Sequence, residues 1–168
     1  MTGQNIGAGR QDRVVETNRF AAKASFLVLS TLGVVTFVFA PEIIRLFDSS
    51  PAVVAEGATF LRWIAPTFGF VGVLRAYSGG FRGAGKTLTA AAIAVVLFGV
   101  IRLPIAYVAS QGLVPLDVWI FAAPTPSGIW FAFAVSGVIA AVVAAGWFEL
   151  GKWRGTDLTQ ESAAEPDP

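Results

Sequence analysis

Four long apolar runs alternate with short polar stretches along the chain. They cover about residues 20–40, 55–77, 88–109 and 128–148. Each comes close to the ~20 residues that a helix needs to cross a hydrocarbon layer. None keeps the strict two-residue alternation of a half-buried strand. The pattern predicts an all-α, polytopic membrane protein, with four transmembrane helices in one membrane domain over residues 24–155. Residues 1–23 are polar and basic and read as a loop leading into the first helix. They do not read as a signal peptide, because Gln4, Asn5 and Arg10 stand where a short apolar core belongs. Residues 156–168 carry no apolar face and read as a disordered acidic tail.

Punctuation within the runs refines this picture. Pro41 and Glu42 close the first. The segment EIIRLFDSS that follows is amphipathic and is expected to lie along the far membrane surface, with Asp48 to Pro51 as a turn and helix start. Pro66, with Gly69 and Gly72 close behind, weakens the middle of the second run. Proline removes a backbone donor, and within a membrane the freed groups must be satisfied by protein or a water-filled cavity. Pro66 therefore reads either as a hinge beside a cavity or as a packing kink. In the third run, alanines from Ala90 to Ala94 allow close helix contact. Arg102 lies in its far half, within reach of the outer interface, two residues before Pro104. A charge at such depth costs about 2.5 kcal/mol or more unless it snorkels, pairs or faces water. Arg102 is thus either a coupling or substrate-path residue, or a structural arginine bonded to helix carbonyls or an outer carboxylate. The segment 111–127 reads as a long outer loop whose apolar centre, Val118 to Ala123, dips into the interface. Trp130, Trp147 and Trp153 bracket the last run as interfacial anchors.

Composition supports a membrane protein. Hydrophobic residues make up 55% of the chain and charged ones 14%, against roughly 25% charged in a soluble domain. The mean hydropathy is +0.67. A net charge of +1 leaves no basic field for nucleic acid. Without Cys or His, thiolate and imidazole catalysis and the usual zinc sites are excluded. Basic residues cluster before the first run (Arg10, Arg13, Arg19, Lys23), between the second and third (Arg75, Arg82, Lys86) and after the fourth (Lys152, Arg154). Positive-inside bias then places both termini in the cytoplasm of a multi-pass cell-membrane protein.

The turn between the second and third runs admits two readings. Gly80, Gly85, Lys86 and Thr87 match the phosphate-cradle pattern G-x-x-x-x-G-K-[ST]. That motif needs a buried strand before it and a soluble helix after it, whereas here apolar runs of membrane length flank it. The other reading is a cytosolic turn, bent at its glycines and held by Arg82 and Lys86. At this point a resemblance enters. GGFRGAGKT followed by IRLPIAY resembles the RGAGDT and R-x-P-x-A-Y region of multidrug and toxic compound extrusion (MATE) transporters. Lys86 stands where that family usually has Asp, and this one departure creates the phosphate-cradle look-alike. Upstream, GQNIGAGRQDR resembles the family's GQN-x-GAG loop, and GIW at Gly128 resembles the start of its last helix. Within the chain, Gly7-Ala8-Gly9-Arg10 and Gly83-Ala84-Gly85-Lys86 echo one another as GAG plus a base.

The resemblance implies that the four spans are helices nine to twelve of such a carrier, part of a MATE-type six-helix lobe. It further implies secondary-active, sodium- or proton-coupled efflux of small organic cations by alternating access, with no enzyme chemistry and no cofactor. The chain would then be a C-terminal piece, transport-competent only with the missing N-terminal helices, and the coupling-ion site would lie outside it. Thr67, Phe68, Phe70 and Tyr77 are candidates for lining a cavity that takes aromatic cations; helix or lipid packing is the other reading of the same four residues. Pro66, Arg82, Gly83, Gly85, Arg102 and Pro104 are the hinge and structural motif residues. Two other functions stay open: a small stand-alone membrane protein that self-assembles through its Ala/Gly faces, and a membrane nucleotide binder using Gly80 to Thr87.

Overall fold

The computed structural model describes residues 2–111 and 127–151. Regular structure among them is helical throughout: α1 (Thr2–Gly7), α2 (Gln11–Val38), α3 (Ala40–Arg45), α4 (Pro51–Ile64), a 3₁₀ turn (Ala65–Thr67), α5 (Phe68–Gly83), α6 (Thr87–Ala94), a π-helical stretch (Val95–Ile101), α7 (Arg102–Ser110) and α8 (Ser127–Glu149). Taken across their breaks, four helices are long and apolar enough to cross a membrane: Gln11–Val38, Pro51–Gly83, Thr87–Ser110 and Gly128–Glu149. They contain the last three apolar runs and all but the end of the first, where Phe39 and Ala40 pass into α3, and they reach into the polar flanks, because backbone pairing inside a helix does not stop where side chains become polar. Asp12 in the first turn of α2 favours such an extension by facing the positive end of the helix dipole. The expected outer loop at 111–127 falls outside the described residues except for Gln111 and for Ser127, which opens α8, and the acidic tail falls outside them entirely.

The helices run antiparallel in chain order. The near end of the bundle holds the turns at Ala8–Arg10 and Ala84–Lys86 and the end of α8. The far end holds α3 and the turn into α4. Both near-end turns use the GAG echo in the same way. The second glycine of each, Gly9 and Gly85, adopts positive φ, 68° and 73°, a conformation open to glycine at little cost. At the far end the amphipathic segment forms the short helix α3 and then a turn. Glu42 accepts from Arg45 at 3.4 Å, and Leu46 and Phe47 stand out 82% and 85% exposed. Hydrogen bonds from Ser50, side chain first and then its backbone N–H, hold the exposed Asp48 carboxyl below the usual carboxylate range.

The most extensive helix packing is α2 against the α4–α5 unit, and missing side chains let it form. A Cβ on Gly33 would run into the Ala65 carbonyl oxygen, and one on Gly69 would strike Ser30 and the Phe26 ring. Glycine lets these helices approach where any larger residue would hold them apart. The core lies in the near half of the bundle, where Val14, Phe81, Ala140, Ala144 and Phe148 are almost fully buried. Phe148 is its centre: the ring packs edge-on to Phe81 at 5.2 Å and tilted to Tyr77 at 5.3 Å. Outside the core, large apolar side chains face outward, among them Leu27, Val28, Leu88, Val95 and Leu103. Only 17% of the apolar window is buried in the first and third spans. An apolar surface of this extent suits lipid or further helices, not water.

Candidate functional site

Two helices break at mid-length, and the breaks have chemical causes. Pro66 has no N–H for the carbonyl of Arg62 one turn back, and the chain tightens into the 3₁₀ turn Ala65–Thr67. The Thr67 hydroxyl donates to the Ile64 carbonyl at 2.7 Å, satisfying an acceptor at the break. In the third span, Pro104 likewise leaves the Val100 carbonyl without its usual partner. The preceding turns widen instead: the Arg102 N–H reaches the carbonyl of Leu97, five residues back. The sequence marked a weak point here but not its kind. Gly99 and Pro104 were the available signal, and the π stretch is how the helix absorbs them.

Arg102 emerges at the end of that stretch. Its Nε donates to Ser136 Oγ on α8 at 2.8 Å, and its guanidinium carbon sits 4.5 Å and 4.1 Å from the ring centroids of Phe98 and Phe133. Ser136 is fully buried and itself donates to the Phe133 carbonyl at 3.3 Å. Arg102 is thus seated by a hydroxyl and two aromatic faces, in place of the carbonyls or outer carboxylate expected for a structural arginine.

Both breaks flank one cleft. It has a volume of about 470 Å³ and runs between α5, the α6–α7 helix and α8. Arg102, Phe98 and Phe133 line it toward the far end, Phe68, Val71 and Leu97 its middle, and Arg75 and Arg82 its near end. Beyond its far end, Trp130 donates to Glu56 at 3.2 Å and packs on Phe60 at 4.6 Å.

The residues singled out from sequence separate on this geometry. Thr67 and Phe68 line the cleft. Phe70 turns away and packs edge-on against Phe26 of α2 at 5.4 Å. Tyr77 is buried in the core, where its hydroxyl donates to Glu149 at 3.1 Å. Pro66 is exposed at the break. Gly83 ends α5 and Gly85 bends the turn that follows.

The same turn shows what the phosphate-cradle pattern does locally. Gly80 to Gly83 form the last turn of α5, and the Ala84 N–H caps it by donating to the Gly80 carbonyl at 3.0 Å. Backbone donors in that turn are spent within the helix, whereas a phosphate cradle needs them turned toward a ligand. The described residues contain no strand ahead of it. Gly80 is instead a packing point: a Cβ there would lie 2.6 Å from Asn18 Nδ2 and 2.7 Å from the Phe148 ring.

A polar cluster at the near end escaped sequence reading. Arg19 on α2 forks onto Glu149 on α8, donating from Nε at 2.9 Å to one oxygen and from the terminal nitrogen to the other. With Tyr77 of α5 on the same carboxylate, three helices are tied at one point. Only the antiparallel topology hints at it, because that topology brings the start of the first span beside the end of the fourth. No cluster of three or more His, Cys, Asp or Glu suited to a metal ion occurs among the described residues.

The MatE family model matches residues 1–108. The probable multidrug resistance protein YpnP of Bacillus subtilis (strain 168) is 30% identical over 161 residues, 96% of this chain and 34% of that protein. The probable multidrug resistance protein NorM of Thermotoga maritima (strain ATCC 43589 / DSM 3109 / JCM 10099 / NBRC 100826 / MSB8) is 28% identical over 108 residues, 64% of this chain and 23% of that protein. Among solved structures, the MATE transporter ClbM in complex with Rb+ superposes with a TM-score of 0.75 at 23% identity, over 96% of this chain and 35% of the other. The chain therefore spans about a third or less of the length of the relatives it matches.

Proposed function

This chain belongs to the MatE family, and from that premise we propose that its four membrane helices supply part of one lobe of a secondary-active efflux carrier. The four spans take the place of helices nine to twelve, with both termini and the Ala84–Lys86 turn in the cytoplasm. The carrier exports small organic compounds, cationic ones among them, by alternating access driven by sodium or protons. The coupling-ion site and the greater part of the substrate path belong to the other helices. Four helices by themselves do not transport, because alternating access moves one repeat or lobe against another around a shared site.

The observation that carries this reading is the cleft between two interrupted helices. Irregular backbone at membrane depth persists only where protein or a cavity satisfies it. Here the 3₁₀ turn and the π stretch flank the same 470 Å³ space. Each break gives its helix a place to bend as a cavity opens and closes. No nucleophile or acid–base pair is needed, since a carrier makes no covalent bond.

The test is a chimera. The matching third of the Bacillus relative is replaced by this chain, and extrusion of a cationic dye from cells is compared with that of the chain alone. The proposal expects dye export from the chimera and none from the chain by itself. Export by the chain alone, as a stable oligomer, establishes the self-assembling reading instead.

A further inference from the structure

We propose that the near-end half of the cleft is a binding site for an amphipathic anion, with a phosphate or carboxylate head between Arg75 and Arg82 and an apolar body lying toward Leu97. Arg75, Ser78, Gly79 and Arg82 all line the cleft. Their spacing of three, four and seven residues puts them on one face of α5. The two arginines are about 10 Å apart along the helix axis, a separation that two long guanidinium side chains can close around one head group. Neither makes an ion pair or hydrogen bond within the described residues. Arginine presents a planar fork of donors matched to phosphate and carboxylate, and Ser78 adds a hydroxyl donor beside them.

Two further observations point the same way. Among the described residues no Asp or Glu lines the cleft, and Arg102 contributes a third positive charge toward its far end. The field in the slot therefore has one sign, and apolar walls such as Val71, Leu74, Ala94 and Leu97 focus it rather than screen it. There is also room for the head: a Cβ built on Gly79 meets nothing within 4 Å. Arg102 itself is engaged by Ser136 and two rings, so it shapes the field while Arg75 and Arg82 hold the ligand. An organic cation meets repulsion in this near-end half of the slot. The site needs only the four-helix unit, so it stands or falls independently of the transport proposal.

The experiment uses the full chain purified in a neutral maltoside detergent. The soluble probe is 1-naphthyl phosphate, with a naphthylmethyl trimethylammonium ion as its cationic counterpart, and binding is read by equilibrium dialysis. The lipid arm compares retention of phosphatidylglycerol and phosphatidylcholine by native mass spectrometry. The site predicts preference for the anion in at least one arm. It predicts a loss of at least about tenfold in Arg75→Gln/Arg82→Gln, from removal of two charge-assisted contacts. Arg75→Lys/Arg82→Lys keeps the charge but loses the planar fork, and its binding falls between that of the unaltered chain and the double Gln variant. Gly79→Leu fills the room without touching a charge and blocks the ligand, while Arg45→Gln at the far end changes nothing. Anion preference in the lipid arm alone identifies the membrane as the source, and preference in both arms admits a free anion too. Equal binding of the naphthyl phosphate and the trimethylammonium ion together with equal retention of the two lipids, or unchanged binding in the double Gln variant, overturns the proposal.

Discussion

Truncating Ser136 should destabilise the bundle more than removing the charge of Arg102. The charge-assisted hydrogen bond from Arg102 to Ser136, 2.8 Å long, contributes about 2 kcal/mol. The two ring contacts at 4.5 Å and 4.1 Å add about 1 kcal/mol each. Against these stands about 3 kcal/mol for holding a guanidinium deep in a membrane. Arg102→Met deletes both sides of this balance at similar volume and is expected to change stability by about 1 kcal/mol or less. Ser136→Ala deletes only the acceptor. It leaves Arg102 Nε without its acceptor between the two rings, at a cost of about 2 kcal/mol. In the Arg102→Met background the same Ser136→Ala change is nearly silent, since the Ser136 hydroxyl then bonds only the Phe133 carbonyl of its own helix. Unfolding of the four variants in mixed maltoside–dodecyl sulfate micelles closes the double-mutant cycle. Equal Ser136→Ala costs in both backgrounds, or a cost above about 3 kcal/mol for Arg102→Met, would refute the reasoning.

Four further outcomes follow from the packing and the breaks. Glu149→Gln weakens the fork from Arg19 and the bond from Tyr77, and in the same unfolding titration it should lower stability measurably but modestly, the pair being partly exposed. Arg19→Met should cost less, because Glu149 keeps its bond from Tyr77. Gly80→Val forces a side chain against Asn18 and Phe148 and should cost about 1–3 kcal/mol by overpacking. Pro104→Ala restores a donor for the Val100 carbonyl, and amide exchange across Val95–Ile101 should slow as the stretch tightens; unchanged exchange would mean that Pro104 is not the cause of the π geometry.

What the sequence revealed, and what it hid, divides along the range of the forces involved. Span positions follow from local hydropathy, and the Pro66 break from a missing N–H, so both could be read from the chain. The turn at Gly83–Lys86 was legible because glycine at positive φ has a local signature, repeated at Gly7–Arg10. The Arg19–Glu149 pair was not, since 130 residues separate its partners and neither motif nor spacing joins them. Burial direction was also hidden. Phe68 and Phe70 are two residues apart and look alike in sequence, yet one lines the cleft and the other packs on Phe26. Which face of a membrane helix turns inward depends on close approaches such as Gly33 to Ala65, and hydropathy is blind to them because lipid and core are equally apolar. Arg102 was recognised as costly, but its seat on Ser136, Phe98 and Phe133 could only be seen once α7 and α8 were side by side.

The account rests on a chain that crosses a bilayer four times with both ends on the cytoplasmic side. With no native cysteine, single-cysteine labelling measures this directly. A membrane-impermeant maleimide applied to intact cells should label Ser49→Cys, in the far-end turn, and leave Lys86→Cys, in the near-end turn, unlabelled until the cells are opened. Equal labelling of the two positions in intact cells, or a chain that stays in solution without detergent, would contradict it.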